Sequence, residues 1–407
     1  MKHNSIASVS HNHACTGCGG CSYQASERIK MVDIDNYGIR PMGRNLESED
    51  ASYCGGAYLD RTRLVNADNI QSLFRRWGPV LDVYEGYASD ERIRLSGSSG
   101  GVLTALSDFA VQSGIADAVL STGAADSDPL TNISTFTVKR SELIDKASSR
   151  YLVSSPLSAL NSSADYSKVA VVGKPCDAAT LSNLREENTD LDEKIALSLS
   201  FFCAGTPSKS GNLSYIKSKL GFAPALIKSL KFRGDGWPGL WKVVATNDEQ
   251  EVSSEATYSE SWGNLQQYRQ WRCFICPDHS GEYSDISCGD AWYKKPDGIN
   301  PGSSLIVVRT KSGQEFLQRA IDEGVITIVQ KDSSLIDSCQ PNLITARNVL
   351  FGRLLAMRMI FMPVPEFKGY ELFRSWLDLN FKTQLVSVLG TLKRLVKKKL
   401  YLPERRE

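Results

Sequence analysis

The chain is poor in histidine, lacks a long apolar run and carries almost no net charge. Its 4 histidines do not stand beside an obvious nucleophile, which argues against hydrolysis by a Ser-His-Asp triad. A formal net charge of +1 gives no electrostatic footprint for nucleic acid, so no nucleic-acid partner is expected. The first residues lack the apolar core of a signal peptide, and nowhere do about 18 apolar residues run together. We therefore expect a cytoplasmic protein.

The remaining composition is that of an ordinary globular protein with many cysteines. The 407 residues are 42% hydrophobic and 23% charged, which suffices for two or more domains with a substantial core. Ten cysteines in a reducing compartment indicate metal binding or catalysis rather than a disulfide framework. The spacing of the cysteines therefore carries most of the functional information.

The run CTGCGGC near the start of the chain has the spacing of a bacterial ferredoxin without its last cysteine. Cys15, Cys18 and Cys21 follow the C-x2-C-x2-C pattern that holds an iron–sulfur cluster. Ala25 and Ser26 stand where that run normally ends in Cys-Pro. The glycines between the cysteines let the backbone curl so that its amides point at the sulfurs. The pattern therefore predicts a cluster whose fourth ligand comes from elsewhere.

Cys54, in the sequence SYCGG, is the candidate for this fourth ligand. Two alternatives stay open on the spacing alone. A structural zinc would take four cysteines, or three cysteines with His11 or His13, which lie nearby. The same cysteines could also be free buried thiols.

Four further cysteines are scattered through the second half of the chain. They are Cys176, Cys203, Cys273 and Cys276. Cys176 and Cys203 follow predicted strands, at the sheet edge where α/β proteins bind their ligands. Cys273 and Cys276 have the C-x2-C spacing of metal-binding pairs. A second metal centre and ordinary buried cysteines are equally compatible with this spacing. Cys288 and Cys339 lack partner spacing and are expected to be structural.

Strand and helix patterns alternate through the middle of the chain. KVAVVGKPCDAATLSNL is typical of a strand, a turn and a helix, and apolar residues recur at helical spacing after Gly101. SLIVVRT and VITIVQK predict further strands. The alternation predicts an α/β fold with a mostly parallel or mixed sheet core and a C-terminal helical tail. A small N-terminal iron–sulfur-binding segment precedes it, which we expect a metal centre rather than a core to hold.

Several glycine-rich loops are candidate binding segments. SGSSGG, ending at Gly101, stands at a helix start, where small residues and the helix dipole favour a phosphate. A flexible turn that caps the helix is the simpler alternative for this loop. The loops around Arg233 and around Asp290 and Trp292 combine charged and aromatic side chains, which often line binding sites. A packed loop with a buried tryptophan would show the same pattern.

The last forty residues predict a basic amphipathic helix. Six apolar residues share one helical face: Leu385, Val388, Leu389, Leu392, Leu395 and Val396. Lysines and arginines crowd the end of this helix. Docking on the body of the protein and peripheral contact with the inner face of the membrane are both compatible with this pattern.

Eight short motifs follow one another in a characteristic order. They are CTGCGGC, SGSSGGVLTAL, SRYLVSSP, VVGKPCDAATL, FFCAGTPS, FRGDGWPG, RCFICPDH and SDISCGDAW. Each motif alone is weak, but the ordered set resembles the coenzyme F-420 hydrogenase/dehydrogenase beta-subunit family from about Cys15 to Thr310. This family includes a formate dehydrogenase subunit and plant hydroxymethyl chlorophyll reductase.

The resemblance implies an iron–sulfur flavoprotein with FAD in the central domain. Residues implied to hold FAD are Ser98, Ser99, Gly100, Gly101, Arg150, Tyr151, Gly173, Lys174 and Pro175. Residues implied to hold one or two 4Fe-4S clusters are Cys15, Cys18, Cys21, Cys54, Cys176, Cys203, Cys273 and Cys276. Arg150 departs from the family, which typically has a lysine in this segment.

The resemblance also divides the chain into four segments. A ferredoxin-like cluster-binding segment spans 1–62, and an N-terminal domain with the flavin loop spans 63–165. A C-terminal domain with flavin contacts and the second cluster spans 166–350, and a basic helical tail spans 351–407.

The function implied is an oxidoreductase that passes electrons between FAD and 4Fe-4S clusters to reduce a small-molecule substrate or cofactor. Reduced deazaflavin (coenzyme F-420) or a ferredoxin would donate the electrons, and some relatives are associated with surface-polysaccharide biosynthesis. Two alternatives are an electron-transfer subunit of a larger redox complex and a zinc-stabilised interaction protein without a redox role. No side chain need act as a nucleophile in the redox chemistry.

Overall fold

The N-terminal segment contains two short helices, a β-hairpin and a further strand. The structure is a computed structural model, and it describes residues 2–34, 37–224, 226–247, 250–296 and 300–404 of the chain. Its elements are α1 (Ile6–His11), α2 (Gly20–Gln24), β1 (Ile29–Ile34), β2 (Gly38–Gly43) and β3 (Tyr58–Asp60). Ile6 and Val9 of α1 belong to one apolar cluster with Leu157, Leu181 and Leu184 from the central part of the chain. Contrary to expectation, an apolar core as well as the cysteines therefore holds this segment in place.

The central part of the chain alternates strands and helices. Its elements are α3 (Gln71–Trp77), β4 (Asp82–Ala88), α4 (Glu91–Ser96), α5 (Val102–Gln112), β5 (Ala118–Ala125), β6 (Asp128–Thr137), α6 (Arg140–Asp145), β7 (Val169–Gly173), α7 (Pro175–Glu187), α8 (Thr189–Lys194) and β8 (Ile195–Phe201). Helix α5 begins directly after Gly101, where its apolar spacing predicted it. Its side chains Leu106 and Phe109 pack into the main core against the sheet.

A small three-stranded antiparallel sheet follows and carries several helices. The elements are α9 (Lys209–Leu220), β9 (Leu226–Lys231), β10 (Leu240–Asn247), β11 (Gln250–Thr257), α10 (Tyr258–Leu265) and α11 (Trp271–Phe274). Trp241 of β10 and Tyr215 of α9 pack edge to face in its core, with ring centroids 4.9 Å apart. This small sheet presents the loops around Arg233 and Tyr258 to the rest of the molecule.

The last part of the chain completes the main sheet and then becomes helical. Its elements are β12 (Ile286–Asp290), β13 (Ser304–Val308), α12 (Lys311–Asp322), β14 (Ile326–Lys331), α13 (Leu335–Cys339), α14 (Pro341–Asn348), α15 (Leu350–Met359), β15 (Glu366–Lys368), α16 (Leu372–Leu377) and α17 (Phe381–Lys397). The predicted helical tail is thus confirmed, while its residues 405–407 lie outside the described residues. No helix in the described ranges is long and apolar enough to cross a membrane.

Eight strands form the central sheet in the order β14-β4-β13-β12-β8-β7-β5-β6. Strands β12, β8, β7 and β5 run parallel in its middle, and the strands on both sides are antiparallel. The predicted α/β class with a mixed sheet is confirmed. The two strands predicted in SLIVVRT and VITIVQK, β13 and β14, both pair antiparallel with β4 between them.

A buried carboxylate joins three distant parts of the chain. Glu282, in the loop before β12, accepts hydrogen bonds from Arg347 of α14 and, at 3.5 Å, from Arg61 after β3. All three side chains are almost fully buried. Burial alone would raise the pKa of Glu282, but the two guanidinium groups outweigh it and hold that pKa below its ordinary value.

Candidate functional site

The first four cysteines converge on one small cavity. Cys15, Cys18, Cys21 and Cys54 all line an enclosed space of about 20 Å³ between the N-terminal segment and α7. Gly19 has a φ of 89°, which turns the chain sharply into α2 and brings Cys18 and Cys21 to the same side. Cys54 thus lies beside the three cysteines of the ferredoxin-like run, and its role as a fourth ligand stays a prediction.

Burial is the main cause of the raised pKa values of Cys54 and Cys21 in this first set. It raises the pKa of Cys54 to about 12, and the neighbouring thiol groups of Cys18 and Cys15 add to the effect. The pKa of Cys21 is raised well above its ordinary value by burial and by the other three cysteines. Such thiols stay protonated unless a bound cation replaces the proton, and the set is suited to a positively charged metal centre.

Polar groups of the protein face the same sulfurs. The backbone N–H of Gly17 donates to Cys15 Sγ at 3.4 Å, and the thiol of Cys18 lies 3.5 Å from the hydroxyl oxygen of Thr180 on α7. Tyr53 also lines the cavity, and its buried hydroxyl group has no hydrogen-bond partner among the described residues. An unpaired buried hydroxyl is costly, and a group bound in the cavity would satisfy it.

A carboxylate from far along the chain lies in an ion pair near this set. Glu404 is fully buried and pairs with the guanidinium group of Arg40 at 2.8 Å and with His13 Nδ1 at 3.2 Å. Arg40 in turn lies close enough to Cys15 to lower the pKa of that thiol against the larger raising effect of burial. The segment after α17 therefore places a buried charge pair next to the first cysteine site.

The second four cysteines also come together. Cys176 is the second residue of α7, Cys203 follows β8, Cys273 lies in α11 and Cys276 comes just after it. Burial raises the pKa of Cys203 to about 12, with contributions from Cys273 and Cys276. Burial likewise raises the pKa of Cys176 well above its ordinary value, and the carboxylate of Asp177 and the neighbouring thiols of Cys203 and Cys276 add to the effect. The ends of two parallel strands and one short helix thus deliver four thiols to one place.

Backbone amides point at this second set as well. Gly205 N–H donates to Cys203 Sγ and Thr206 N–H donates to Cys273 Sγ, each at 3.4 Å. Such donors stabilise thiolates bound to a cluster. Across the described ranges, no three histidine, cysteine, aspartate or glutamate side chains are arranged to hold a single metal ion.

A larger cavity of about 290 Å³ opens next to the second set. It lies at the carboxyl ends of β7, β8 and β12 and against the first turn of α5, the place where α/β sheets bind ligands. Its volume is near the lower end of the roughly 300–1,000 Å³ that ligand pockets occupy. Cys203 lines this cavity and also belongs to the second set, so the two sites share a wall.

Most of the residues predicted to hold FAD line this larger cavity. They are Ser98, Ser99, Gly101, Arg150, Tyr151, Gly173 and Lys174. The other two do not line it. Gly100 donates its N–H to the Ser304 hydroxyl oxygen, and Pro175 begins α7. Gly101 has a φ of 71°, and a Cβ there would lie 2.6 Å from the carbonyl oxygen of Ile93, so only glycine fits.

The segment before Arg150 is fastened onto the glycine-rich loop. Ser149 N–H donates to Ser98 Oγ at 2.6 Å, and the hydroxyl of Ser148 donates to the Arg233 carbonyl oxygen. Ser148 has a φ of 91°, a region that residues other than glycine rarely occupy. Strained backbone of this kind concentrates at binding sites.

Arg233 and two aromatic rings form one end of the cavity. Arg233 is buried and pairs with Asp290, while its guanidinium carbon lies 4.7 Å from the centre of the Tyr258 ring. Tyr258 stacks on Trp292 with ring centroids 5.1 Å apart and planes 18° from parallel. The loops around Arg233, Asp290 and Trp292 thus line a cavity, as the sequence suggested, and the stack suits a flat ring system.

Four lining residues were not singled out from the sequence. Ser121 Oγ and Asp177 Oδ1 are buried polar atoms without a hydrogen-bond partner among the described residues, and both residues line the cavity. Lys146 donates only to threonine hydroxyls in the hydrogen bonds found, and Asn132 accepts a hydrogen bond from Arg150. None of the four stands in a pattern that predicts a polar wall. The unpaired atoms and the cationic groups fit a bound molecule with phosphates and polar ring atoms.

Lys174 stands between the larger cavity and the second cysteine set. Its ammonium group donates to Asp177 at 2.7 Å and to Ser154 Oγ at 2.8 Å. Burial alone would lower the pKa of Lys174, but Asp177 and the thiol groups of Cys176 and Cys203 outweigh it, so that pKa is raised. A permanent positive charge therefore faces both sites.

Helix α7 connects the two cysteine sets. Cys176 and Thr180 lie one turn apart on this helix, about 6 Å along its axis. Thr180 contacts Cys18 of the first set on the far side, and its hydroxyl also accepts the Gly55 N–H at 3.2 Å. One short helical turn thus separates the two sets.

Comparison with known families identifies most of this architecture. Two family models, both described as "Coenzyme F420 hydrogenase/dehydrogenase, beta subunit", match the chain. The model of the N-terminal part matches residues 83–161, and the model of the C-terminal part matches residues 166–334. Residues 15–54, with the first cysteine set, and the C-terminal helices lie outside the matched ranges.

Curated relatives agree with this match. The chain is 24% identical over 262 residues to coenzyme F420 hydrogenase subunit beta of Methanococcus voltae, covering 63% of this chain and 85% of that protein. It is 26% identical over 257 residues to F420-dependent formate dehydrogenase subunit beta of Methanocaldococcus jannaschii, covering 61% and 62% of the two chains. A chain of the F420-reducing NiFe hydrogenase complex from Methanosarcina barkeri shares the fold, with a TM-score of 0.51, 19% identity and coverage of 80% and 94%.

Proposed function

Because the chain belongs to the coenzyme F420 hydrogenase/dehydrogenase beta-subunit family, we propose that it is an iron–sulfur flavoprotein that transfers electrons. In this proposal FAD occupies the larger cavity and each cysteine set holds a 4Fe-4S cluster. When bound, FAD would exchange electrons in pairs and the clusters would exchange them singly. The observation that carries the proposal is the convergence of eight cysteines on two sites, one of which shares Cys203 with the larger cavity.

The fit of FAD to the cavity is supported by its polar lining. The first turn of α5 faces the cavity with Gly101 at its start, so its backbone N–H groups would bind a phosphate. Lys146 and Arg150 supply positive charge, and the unpaired atoms of Ser121 and Asp177 would find partners on the bound molecule.

The two cysteine sets and the larger cavity lie next to one another, which supports electron transfer through all three sites in sequence. The larger cavity borders the second set, and α7 leads from Cys176 of that set to Thr180 beside Cys18 of the first. Cys15 and Cys18 of the first set are buried and the other six cysteines are partly exposed, and such exposure is one of the factors that set the potential of a cluster. The residues of the chain thereby hold the redox groups in a fixed order.

For the substrate we propose a flat ring molecule that stacks at Tyr258 and Trp292, beside the ion pair of Arg233 and Asp290. The names of the relatives point to coenzyme F420 as the redox partner, and we propose its reduced form as the electron donor, with a ferredoxin as the other candidate. Because those relatives are named as subunits, an electron-transfer role within a larger redox complex is the second candidate function. The hypothesis of a role in surface-polysaccharide biosynthesis has no support in the geometry of the site.

The test is the cofactor content of protein purified without air. We expect about eight iron atoms, about eight acid-labile sulfides and one FAD for each chain, with a visible spectrum to match. Cys21→Ser and Cys276→Ser should each lower the iron to about four, because each variant removes a ligand from one cluster.

Cys288→Ala and Cys339→Ala are the matched controls, because both cysteines are buried and lie outside the two sets. Both should keep about eight iron atoms. Zinc without iron or flavin in the wild-type protein would refute the redox proposal. Equal iron loss in a control variant would show that the iron depends on the fold rather than on the two sets.

A further inference from the structure

Helix α17 packs on the body of the protein through its more polar side. Ser387, Thr391 and Leu395 are its buried residues. Trp376 of α16 donates its indole N–H to the Ser387 hydroxyl at 2.9 Å. Gly352 of α15 lies against the same hydroxyl, and a Cβ there would come within 1.9 Å of it. The contact between α15 and α17 is thus a close one that uses small residues.

The opposite side of α17 exposes large apolar side chains. Phe381, Leu385, Leu389 and Val396 repeat at helical spacing, and we call them the apolar stripe. Their exposure ranges from 47% for Leu385 to 76% for Phe381. A surface helix normally turns such residues to the core, so this orientation indicates that something outside the described residues covers the stripe.

Lysines border the apolar stripe. Helical periodicity places Lys382, Lys393 and Lys397 along one edge of it, and all three are exposed. The helix contains no aspartate or glutamate. Within the described ranges no carboxylate forms an ion pair with these three lysines. The stripe therefore has an uncompensated cationic edge.

We propose that this face of α17 binds the surface of an anionic lipid bilayer. The helix would lie in the plane of the interface, with the apolar stripe among the upper parts of the acyl chains and the lysines at the phosphates. Lysine is depleted at protein–protein interfaces, whereas interfacial helices combine Phe and Leu on one side with Lys at the edge. The proposal uses no redox property of the protein, so it stands or falls independently of the cofactors.

The experiment is co-sedimentation of the full chain with vesicles. One vesicle population contains phosphatidylcholine alone, and the other contains equal parts of phosphatidylcholine and phosphatidylglycerol. We expect binding to the mixed vesicles and little binding to the neutral ones. Lys382→Gln, Lys393→Gln and Lys397→Gln together should weaken binding about 100-fold, because each surface lysine contributes roughly a fivefold factor.

A matched control removes the same charge elsewhere. Lys30→Gln, Lys139→Gln and Lys295→Gln together alter three exposed lysines far from α17 in sequence and should leave binding within about twofold. Phe381→Gln, Leu385→Gln and Leu389→Gln together should abolish binding even though the charge is unchanged, a loss of at least about 100-fold. Circular dichroism checks that each variant is folded.

Phe381→Trp gives a second readout that does not depend on disrupting the stripe. Its fluorescence should shift to shorter wavelength with the mixed vesicles and stay unchanged with the neutral ones. The proposal is overturned if the wild-type chain ignores the mixed vesicles, or if the control weakens binding as much as the edge variant. It is also overturned if the wild type is a dimer that the stripe variant makes monomeric, since a second copy would then cover the stripe.

Discussion

A single hydroxyl group at the first cysteine site has a role that the fold does not explain. Tyr53 is 5% exposed, lines the small cavity beside the four sulfurs and finds no hydrogen-bond partner in the described part of the chain. A hydrogen bond donated to a cluster stabilises its more negative, reduced form and so raises the reduction potential. With the proposed cluster bound at the first set, Tyr53 would donate such a hydrogen bond and tune its potential.

Tyr53→Phe should make the potential of one cluster more negative by about 40 mV. This value converts the net contribution of one hydrogen bond, about 1 kcal/mol, for a one-electron couple. A redox titration followed by electron paramagnetic resonance measures it. Tyr23→Phe is the matched control, because Tyr23 packs in the same apolar cluster but does not line the cavity. Equal shifts in the two variants, or none in Tyr53→Phe, would contradict the assignment.

At the scale of one element, the two ends of α5 carry glycines in the same conformation with different surroundings. Gly101 at the start has a φ of 71° and faces the larger cavity, whereas Gly114 just past the end has a φ of 70° with nothing within 4 Å of an added Cβ. An alanine pays the same backbone strain at either position, about 1–2 kcal/mol. Only at Gly101 does it also strike the carbonyl oxygen of Ile93.

Gly101→Ala should therefore lower the affinity for FAD at least about tenfold and leave the iron content unchanged, because the loop must shift away from the phosphate position. Gly114→Ala should lose stability but keep its FAD. Flavin fluorescence after denaturation and the thermal midpoint distinguish the two effects. Full FAD content in Gly101→Ala would show that the flavin does not use the start of α5.

Elements with a clear local pattern were predictable, and their surroundings were not. The apolar spacing after Gly101 and the β-branched runs predicted α5, β7, β13 and β14. The antiparallel pairing of β13 and β14 with β4 depends on contacts between strands far apart in sequence, which no local pattern encodes. The tail helix was likewise predictable, but periodicity could not tell that Ser387 and Thr391 would face the body.

The candidate site likewise contains residues that a sequence pattern predicts and residues that only the fold reveals. Cysteine spacing and the family resemblance indicated which thiols to expect together, and the structure brings each set to one place. Tyr53, Ser121 and Glu404 carry no motif, because their importance comes only from what the fold places beside them. The four-segment division of the chain stays a prediction, since the family models begin only at residue 83.

At the scale of the whole molecule, one buried carboxylate holds together parts of the chain that are distant in sequence. Glu282→Gln would leave the guanidinium groups of Arg61 and Arg347 buried without a negative partner. We expect a loss of about 3–5 kcal/mol in the free energy of unfolding. Denaturation with urea at neutral pH measures it. Glu251→Gln, which breaks an exposed pair with Lys228, is the control and should cost less than about 1 kcal/mol.

The ion pairs of Glu282 with Arg61 and Arg347 also predict how the stability of the protein changes with pH. The pKa of Glu282 is lower in the folded protein than in the unfolded chain, so its stabilising contribution is complete above the unfolded pKa of about 4.3. The contribution is lost as the pH falls through the folded pKa. The stability difference between the wild type and Glu282→Gln should therefore be constant near neutral pH and shrink below about pH 4. A difference that does not change with acidification would contradict this assignment.

The ion pair between Glu404 and Arg40 also fixes an order of events during synthesis. The two residues are 364 positions apart, so Arg40 leaves the ribosome long before its carboxylate partner exists. The guanidinium group of Arg40 also donates to the oxygens of Ile39 and Gln270, and Gln270 lies 230 positions further along the chain. The buried charge pair beside Cys15 therefore forms only after residue 404 has been translated, so folding of this part of the molecule cannot be completed while the N-terminal segment is being synthesised.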